Sequence, residues 1–327
     1  MSSVAASISK WLLTSNIVIR EGPYKGAVAG WLNADGSPSF PYPEITGYYL
    51  SWLASLAGAG GTSGDIRLAG SEAIDWFRRI ANGQLPLLTR YHQNPQEEDW
   101  RNRAVFTFDL AMAARGISDW RRIAAGDAGQ EPLRYLLDLL SDACKAGEAL
   151  PVYIKADREL PSRWSTQTGP YQLKLAAALL FSVEAAPARL RDAAWNTYDR
   201  WRSVSPDVNG PVDLHPALYA LEGLAEFGGH GDKEASELAA RRLHDISCKL
   251  HRRPNGMRSD VIAQALRLSW LLRAHRPRIA AMRRLLEEFI DEGRVSFRPL
   301  GCPPLHWNAW SAMFTYDSLA AERQLCS

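Results

Sequence analysis

Several things are scarce in this 327-residue chain. It has only four cysteines (Cys144, Cys248, Cys302 and Cys326), far apart and without a CxxC pair, so neither a disulfide framework nor a zinc knuckle is expected. No uninterrupted apolar run is long enough to span a bilayer, and the stretch around Trp11–Leu13 is too short for a secretory core; a cytoplasmic protein without a membrane span is the expectation. Charge of one sign is also missing. The formal net charge is +2 and no Lys/Arg stripe runs along a face, which argues against a nucleic-acid partner. The pairs Arg241-Arg242 and Arg252-Arg253 fall late on one expected helix, where cations suit the dipole. There is no GxGxxG after a strand, no Walker loop and no HExxH, so nucleotide, dinucleotide and zinc-protease chemistry have no foothold.

What the chain has is apolar helix, and in two kinds. The stretch Pro41–Leu53 starts as a proline-marked loop and becomes a helix that is apolar nearly all round, the pattern of a buried helix. Pro43 pre-sets the first turn and Glu44 sits near the positive end of the dipole. Mostly apolar segments follow at Val105–Arg115, Tyr171–Val183, Leu214–Phe227, Asp260–Leu272 and His306–Ala321. Between them lie amphipathic segments at Val4–Thr14, Asp65–Asn82, Glu131–Ala146, Pro187–Ser203, Lys233–Arg252 and Arg278–Glu292. Starts taken at Glu44, Phe106, Tyr171, His215, Asp260 and His306 settle to intervals of about 45 residues, the signature of repeated helical hairpins. Six apolar helices need cover on almost every side, and a ring of six amphipathic ones supplies it. The expected fold is therefore all-α, an (α/α)6 toroid in one domain spanning residues 1–327, with an open α-solenoid as the alternative.

The buried helices carry polar stripes. Glu44, Tyr48 and Ser51, then His215, Tyr219 and Glu222, then Asp260, Gln264 and Arg267 recur at i, i+4 and i+7. A buried carboxylate without a partner is costly, so such stripes face either one another or a ligand cavity. In a closed ring the inner-helix N-termini converge on one mouth. The substrate-binding set expected there is Glu44, Tyr48, Asp109, Arg163, Trp164, Tyr219, Glu222, Arg258, Gln264, Trp307 and Trp310, with Tyr171, Lys174 and Asp213 close by. Carboxylates, Arg, Gln and Tyr suit sugar hydroxyl and carboxyl groups, and tryptophan faces suit the apolar side of a sugar ring; Trp31, Trp100, Trp164 and Trp307 stand on the mouth side. The expected partner is thus a small sugar or a glycan. No metal or cofactor is expected, although Cys302 and His306 have the spacing of two zinc ligands.

This pattern resembles the six-hairpin (α/α)6-toroid sugar enzymes, among them N-acylglucosamine 2-epimerases and unsaturated glucuronyl hydrolases. The segments YPEITGYYLSWLA (42–54), HPALYALEGLAEFG (215–228), RSDVIAQALRL (258–268) and HWNAWSAMFTYDSL (306–319) are similar to bacterial proteins associated with surface-polysaccharide genes. The epimerase branch implies an acid/base pair of histidines on the fourth and sixth inner hairpins, where His215 and His306 stand. The chain departs from that branch in placing Glu222 seven residues after His215 rather than three, and in having no arginine beside Glu44. The glycosidase branch implies an inner-helix aspartate, for which Asp109, Asp213 and Asp260 are candidates. The catalytic residues expected are His215, His306 and Asp260, in an epimerase or isomerase working by proton transfer. A hydrolase or lyase using carboxylates, and a non-catalytic glycan-binding or scaffold protein of polysaccharide assembly, are the alternatives.

Overall fold

The computed structural model describes residues 3–60, 64–92, 94, 96–124, 128–206, 208–251, 256–274 and 276–326; Arg252, Arg253 and the expected turn at Pro254-Asn255 lie outside them. Twelve helices alternate between an inner and an outer ring among the described residues. The inner helices are α2 (Pro43–Gly58), α4 (Thr107–Arg121), α6 (Gln172–Ala177, continued by a π turn over Ala178–Ser182), α8 (Pro211–Gly229), α10 (Ser259–Leu271) and α12 (Ala309–Cys326). The outer helices are α1 (Ser3–Thr14), α3 (Gly64–Ala81), α5 (Gln130–Ala143), α7 (Ala188–Trp201), α9 (Lys233–His251) and α11 (Arg276–Glu287). Each inner helix packs on the next, and α12 returns to α2, so the ring is closed and not a solenoid. The fold is the (α/α)6 toroid. Its sixth outer position is filled from the other end of the chain, by α1 against α12.

Glycine sets how tightly the inner ring can pack. A Cβ on Gly47 of α2 would lie 2.5 Å from the Met112 carbonyl oxygen of α4, and one on Gly223 of α8 would lie 2.4 Å from the Leu173 carbonyl carbon of α6. At both crossings the two backbones touch, which only a residue without a side chain permits.

The mouth of the ring is trimmed by short strands that periodicity does not reveal. β1 (Trp31–Asn33) pairs antiparallel with β6 (His306–Asn308), β2 (Ala104–Phe106) with β3 (Tyr153–Ala156), and β4 (Ile290–Asp291) with β5 (Arg294–Val295). Two expected helix starts shift as a result. His306 belongs to a strand and α12 opens only at Ala309, while Phe106 pairs with Tyr153 and α4 opens at Thr107. The α8 start moves the other way, to Pro211, because Asp213 accepts the backbone N–H groups of Gly210 (2.9 Å) and Asn209 (3.0 Å) and caps the helix. No described helix is long and apolar enough to cross a membrane.

Candidate active site

The inner-helix N-termini do converge, on a cavity of about 690 Å³ at one end of the ring. Glu44 of α2, Phe108 and Asp109 of α4, Tyr171 ahead of α6, Asp213 and His215 of α8, Arg258 ahead of α10 and Trp310 of α12 all line it. Trp31 of β1 and His306 of β6 add to it, as do Tyr42, Arg90, Trp100, Arg101, Arg163, Trp164 and Phe297 from the segments between the helices.

His215 is the most constrained of these side chains. Its Nδ1 lies 3.0 Å from Gln264 Oε1 and 3.3 Å from Asp260 Oδ2. Burial, then the nearby Arg258 charge, push the imidazole down to about 4, so the ring is neutral at pH 7. Asp260 is fully buried, which raises a carboxyl, but the Arg258 charge and its hydrogen bonds, with a hydrogen bond from Trp310 Nε1 (3.1 Å), outweigh burial and hold it ionised. Arg258 reaches Asp260 through two nitrogens, one of them 3.0 Å from Oδ1. With an ionised carboxylate and an amide oxygen facing Nδ1, that nitrogen carries the hydrogen. Nε2 keeps the lone pair.

His306 approaches from β6. Its ring stands 5.0 Å from that of Trp31 and is stacked on Phe297 at 5.5 Å, and its buried Nδ1 has no hydrogen-bond partner among the described residues. Burial and then Arg298 lower its pKa, so it too is neutral. Both histidines face one cavity.

A second centre lies at Glu44 and Asp109. Burial raises both carboxyls, Asp109 strongly, and the Glu44 charge raises Asp109 further. Tyr42, beside both, opposes part of that rise. Asp109 Oδ2 is buried with no hydrogen-bond partner among the described residues, and Glu44 Oε1 accepts weakly from the Tyr219 hydroxyl at 3.4 Å. A protonated carboxyl at this place can donate a hydrogen bond or a proton.

The remaining expected site residues divide by depth. Arg163, Trp164, Tyr219, Arg258 and Trp310 line the cavity. Tyr48, Glu222 and Gln264 do not: each successive turn carries an inner helix about 5.4 Å deeper, and they lie buried beneath the floor, while Asp260, in the first turn of α10, is buried behind Arg258 and Trp310, which bond to it. Trp307 is also out of place. Strand alternation turns it away from the cavity, where its ring sits 4.4 Å from the Arg294 guanidinium. Ser51 does not continue the Glu44 stripe into the site, since it donates to Asp119 at 2.7 Å. No group of three or more His, Cys, Asp or Glu side chains is gathered for a metal among the described residues, and Cys302 is exposed.

Arg90, Arg101, Tyr42, Phe108 and Phe297 also line the cavity and were not singled out by the sequence. Arg90 and Arg101 converge on Asp99, at 3.0 and 3.1 Å, and Arg101 stacks 4.4 Å from the Trp100 ring. Their loop, 85–103, was long and charged; that was the available signal.

No protein-family model matches the chain, and no curated protein does either. Solved structures do match in shape. A D-mannose isomerase superposes with a TM-score of 0.69 at 14% identity, covering 98% of this chain and 97% of that one. An unsaturated glucuronyl hydrolase specific for heparin gives 0.65 at 12% identity over 99% and 96%. A cellobiose 2-epimerase from Bacillus thermoamylovorans gives 0.65 at 11% identity over 99% and 100%. At such identities the likeness defines the fold, which these sugar enzymes share with this chain end to end.

Proposed function

We infer that the cavity is the active site of a carbohydrate-active enzyme, an epimerase or isomerase that moves a proton on the carbon next to a carbonyl. The observation that carries this reading is His215: a buried, neutral imidazole on the cavity wall, with Asp260 and Gln264 on Nδ1 and the lone pair on Nε2. Nε2 takes the proton from carbon, and the Asp260 carboxylate steadies the imidazolium that forms. Asp109, whose carboxyl burial and the Glu44 charge push well up, donates to the oxygen that gains charge as the enediol forms. His306, neutral beside Trp31, takes the hydroxyl proton from the neighbouring oxygen as the new carbonyl forms, and the His215 imidazolium returns its proton to the adjoining carbon. Trp31, Trp100 and Trp164 supply apolar faces and Arg163 and Arg258 polar ones, as a sugar requires. The structural neighbours named as sugar isomerase and epimerase support the same class.

Asp109 supports a second reading. A carboxyl whose pKa burial and Glu44 push well up is also what glycoside hydrolysis needs as its acid. The two separate in heavy water. A panel of free sugars, uronic acids and short glycans is screened by thermal shift, and the best binders are incubated in D2O. Proton transfer predicts deuterium at the carbon beside the carbonyl, abolished by His215→Asn. Cleavage without carbon-bound deuterium, lost in Asp109→Asn and retained in His215→Asn, would overturn the isomerase reading.

A further inference from the structure

Beneath the cavity floor, charged and polar side chains run in single file toward His215. Lys174 Nζ of α6 is 2.7 Å from Glu222 Oε2 of α8 and 4.0 Å from the centroid of the Tyr219 ring. Glu222 Oε2 accepts from Gln264 Nε2 of α10 at 3.3 Å, and Gln264 Oε1 faces His215 Nδ1 at 3.0 Å. Lys174, Glu222 and Gln264 are buried and do not line the cavity. The mechanism above gives no role to Lys174 or Glu222.

Charge gives the file its direction. Burial raises Glu222, but Lys174 and Arg267 outweigh it and hold the group ionised. A carboxylate only accepts hydrogen bonds, so the Gln264 amide must turn its NH2 toward Glu222 and its carbonyl toward His215. A carbonyl oxygen also only accepts, so the ring hydrogen is placed on Nδ1. With the amide reversed, an NH2 would face the ring and favour the hydrogen on Nε2, blocking the atom that must receive a proton. Asp260 pulls in the same direction from 3.3 Å, but its Oδ2 is shared with Trp310 and Arg258. The two acceptors act together.

The geometry points to Glu222, anchored by Lys174, as a positioning residue that works through the Gln264 amide to keep His215 in the tautomer with Nε2 unprotonated. This rests on His215 being the base, yet the tautomer belongs to the substrate-free protein and is measured without turnover.

Ring nitrogen shifts of 15N-histidine-labelled protein at pH 7 test it. The full chain is compared with Gln264→Met, Glu222→Asp, the pair Lys174→Met/Glu222→Leu, and the triple variant. The unmodified chain is expected to show His215 with the hydrogen on Nδ1 alone. In Gln264→Met and in the pair, the ratio of Nε2–H to Nδ1–H tautomer is expected to rise about fivefold, roughly the effect of one lost hydrogen bond. The triple variant should add nothing further, because both changes lie on one path. Glu222→Asp, which keeps the carboxylate, should stay closer to the unmodified chain. An Nε2–H tautomer in the unmodified chain overturns the proposal. So does an unchanged tautomer in a folded Lys174→Met/Glu222→Leu protein or, should that pair not fold, in Gln264→Met. Turnover separates this relay from the function it serves. A kcat lower by about tenfold at unchanged KM accompanies the tautomer shift if His215 is the base. A tautomer shift with no effect on turnover leaves the relay standing and refutes His215 as base.

Discussion

Gly116 on α4 lies against Gly47 on α2 so closely that a Cβ on Gly116 would stand 2.0 Å from the Gly47 carbonyl oxygen. The contact is backbone on backbone, and neither helix has a flexible side chain to move aside. Gly116→Ala is therefore expected to destabilise the protein by about 3 kcal/mol, the upper range for overpacking, although alanine favours helix. Urea denaturation measures it. A variant as stable as the parent would mean that α2 and α4 separate without cost.

Burying a neutral His215 makes stability depend on pH in a definite direction. The folded-state value of about 4 lies below the ordinary 6.5, so between these values the unfolded chain binds more protons than the folded one. This contribution is intact above pH 6.5 and is lost as pH falls toward 4, by up to about 3 kcal/mol. The drop in stability from pH 7 to pH 4 should shrink in His215→Asn. Equal slopes in the two proteins would show that another group controls acid unfolding.

The same imidazole predicts the acid limb of catalysis. A base that is neutral down to about pH 4 keeps kcat/KM level through the range where an exposed histidine would titrate. A limb near 6.5 would place the essential base elsewhere.

Asp109 and Asp260, both buried, are expected to respond oppositely to the same substitution. Burial and the Glu44 charge push Asp109 well above the ordinary carboxyl range, so its charge is already disfavoured and Asp109→Asn should change stability at pH 7 by less than about 1 kcal/mol. Asp260 is ionised and bound to Arg258, His215 and Trp310; Asp260→Asn leaves the arginine without its partner and should cost about 3–5 kcal/mol. Thermal melts of the two variants decide the matter. Comparable losses would contradict the assigned charge states.

The ring was legible in the sequence because burial has a period. Helices such as α3, with Ile66, Ala73, Trp76, Phe77 and Ile80 inside, announce an outer position, and the all-round apolar α2 announces an inner one. His215, Asp109 and Arg258 were legible for the same reason, as polar residues at the start of apolar helices. Depth was not. Tyr48, Glu222 and Gln264 share stripes with cavity residues and are hidden by one or two turns of rise. Trp307 was misplaced because β6 is three residues long, too short for its alternation to register, and its pairing with β1 joins segments some 270 residues apart. Arg90 and Arg101 sit in a loop, where position follows from tertiary contacts and leaves no periodic trace.

The ring's seam has a consequence for how the protein is made. The sixth hairpin joins α1 to α12, so α1 leaves the ribosome and must wait for the ten helices between them before α12 exists to cover its apolar face. Every other outer helix finds its inner partner within one hairpin. Ile8 and Leu12, wholly buried in the finished ring, thus wait longest for the cover that α12 supplies. A circular permutant that joins the present ends and opens the chain between two other hairpins would carry that waiting period to a different helix.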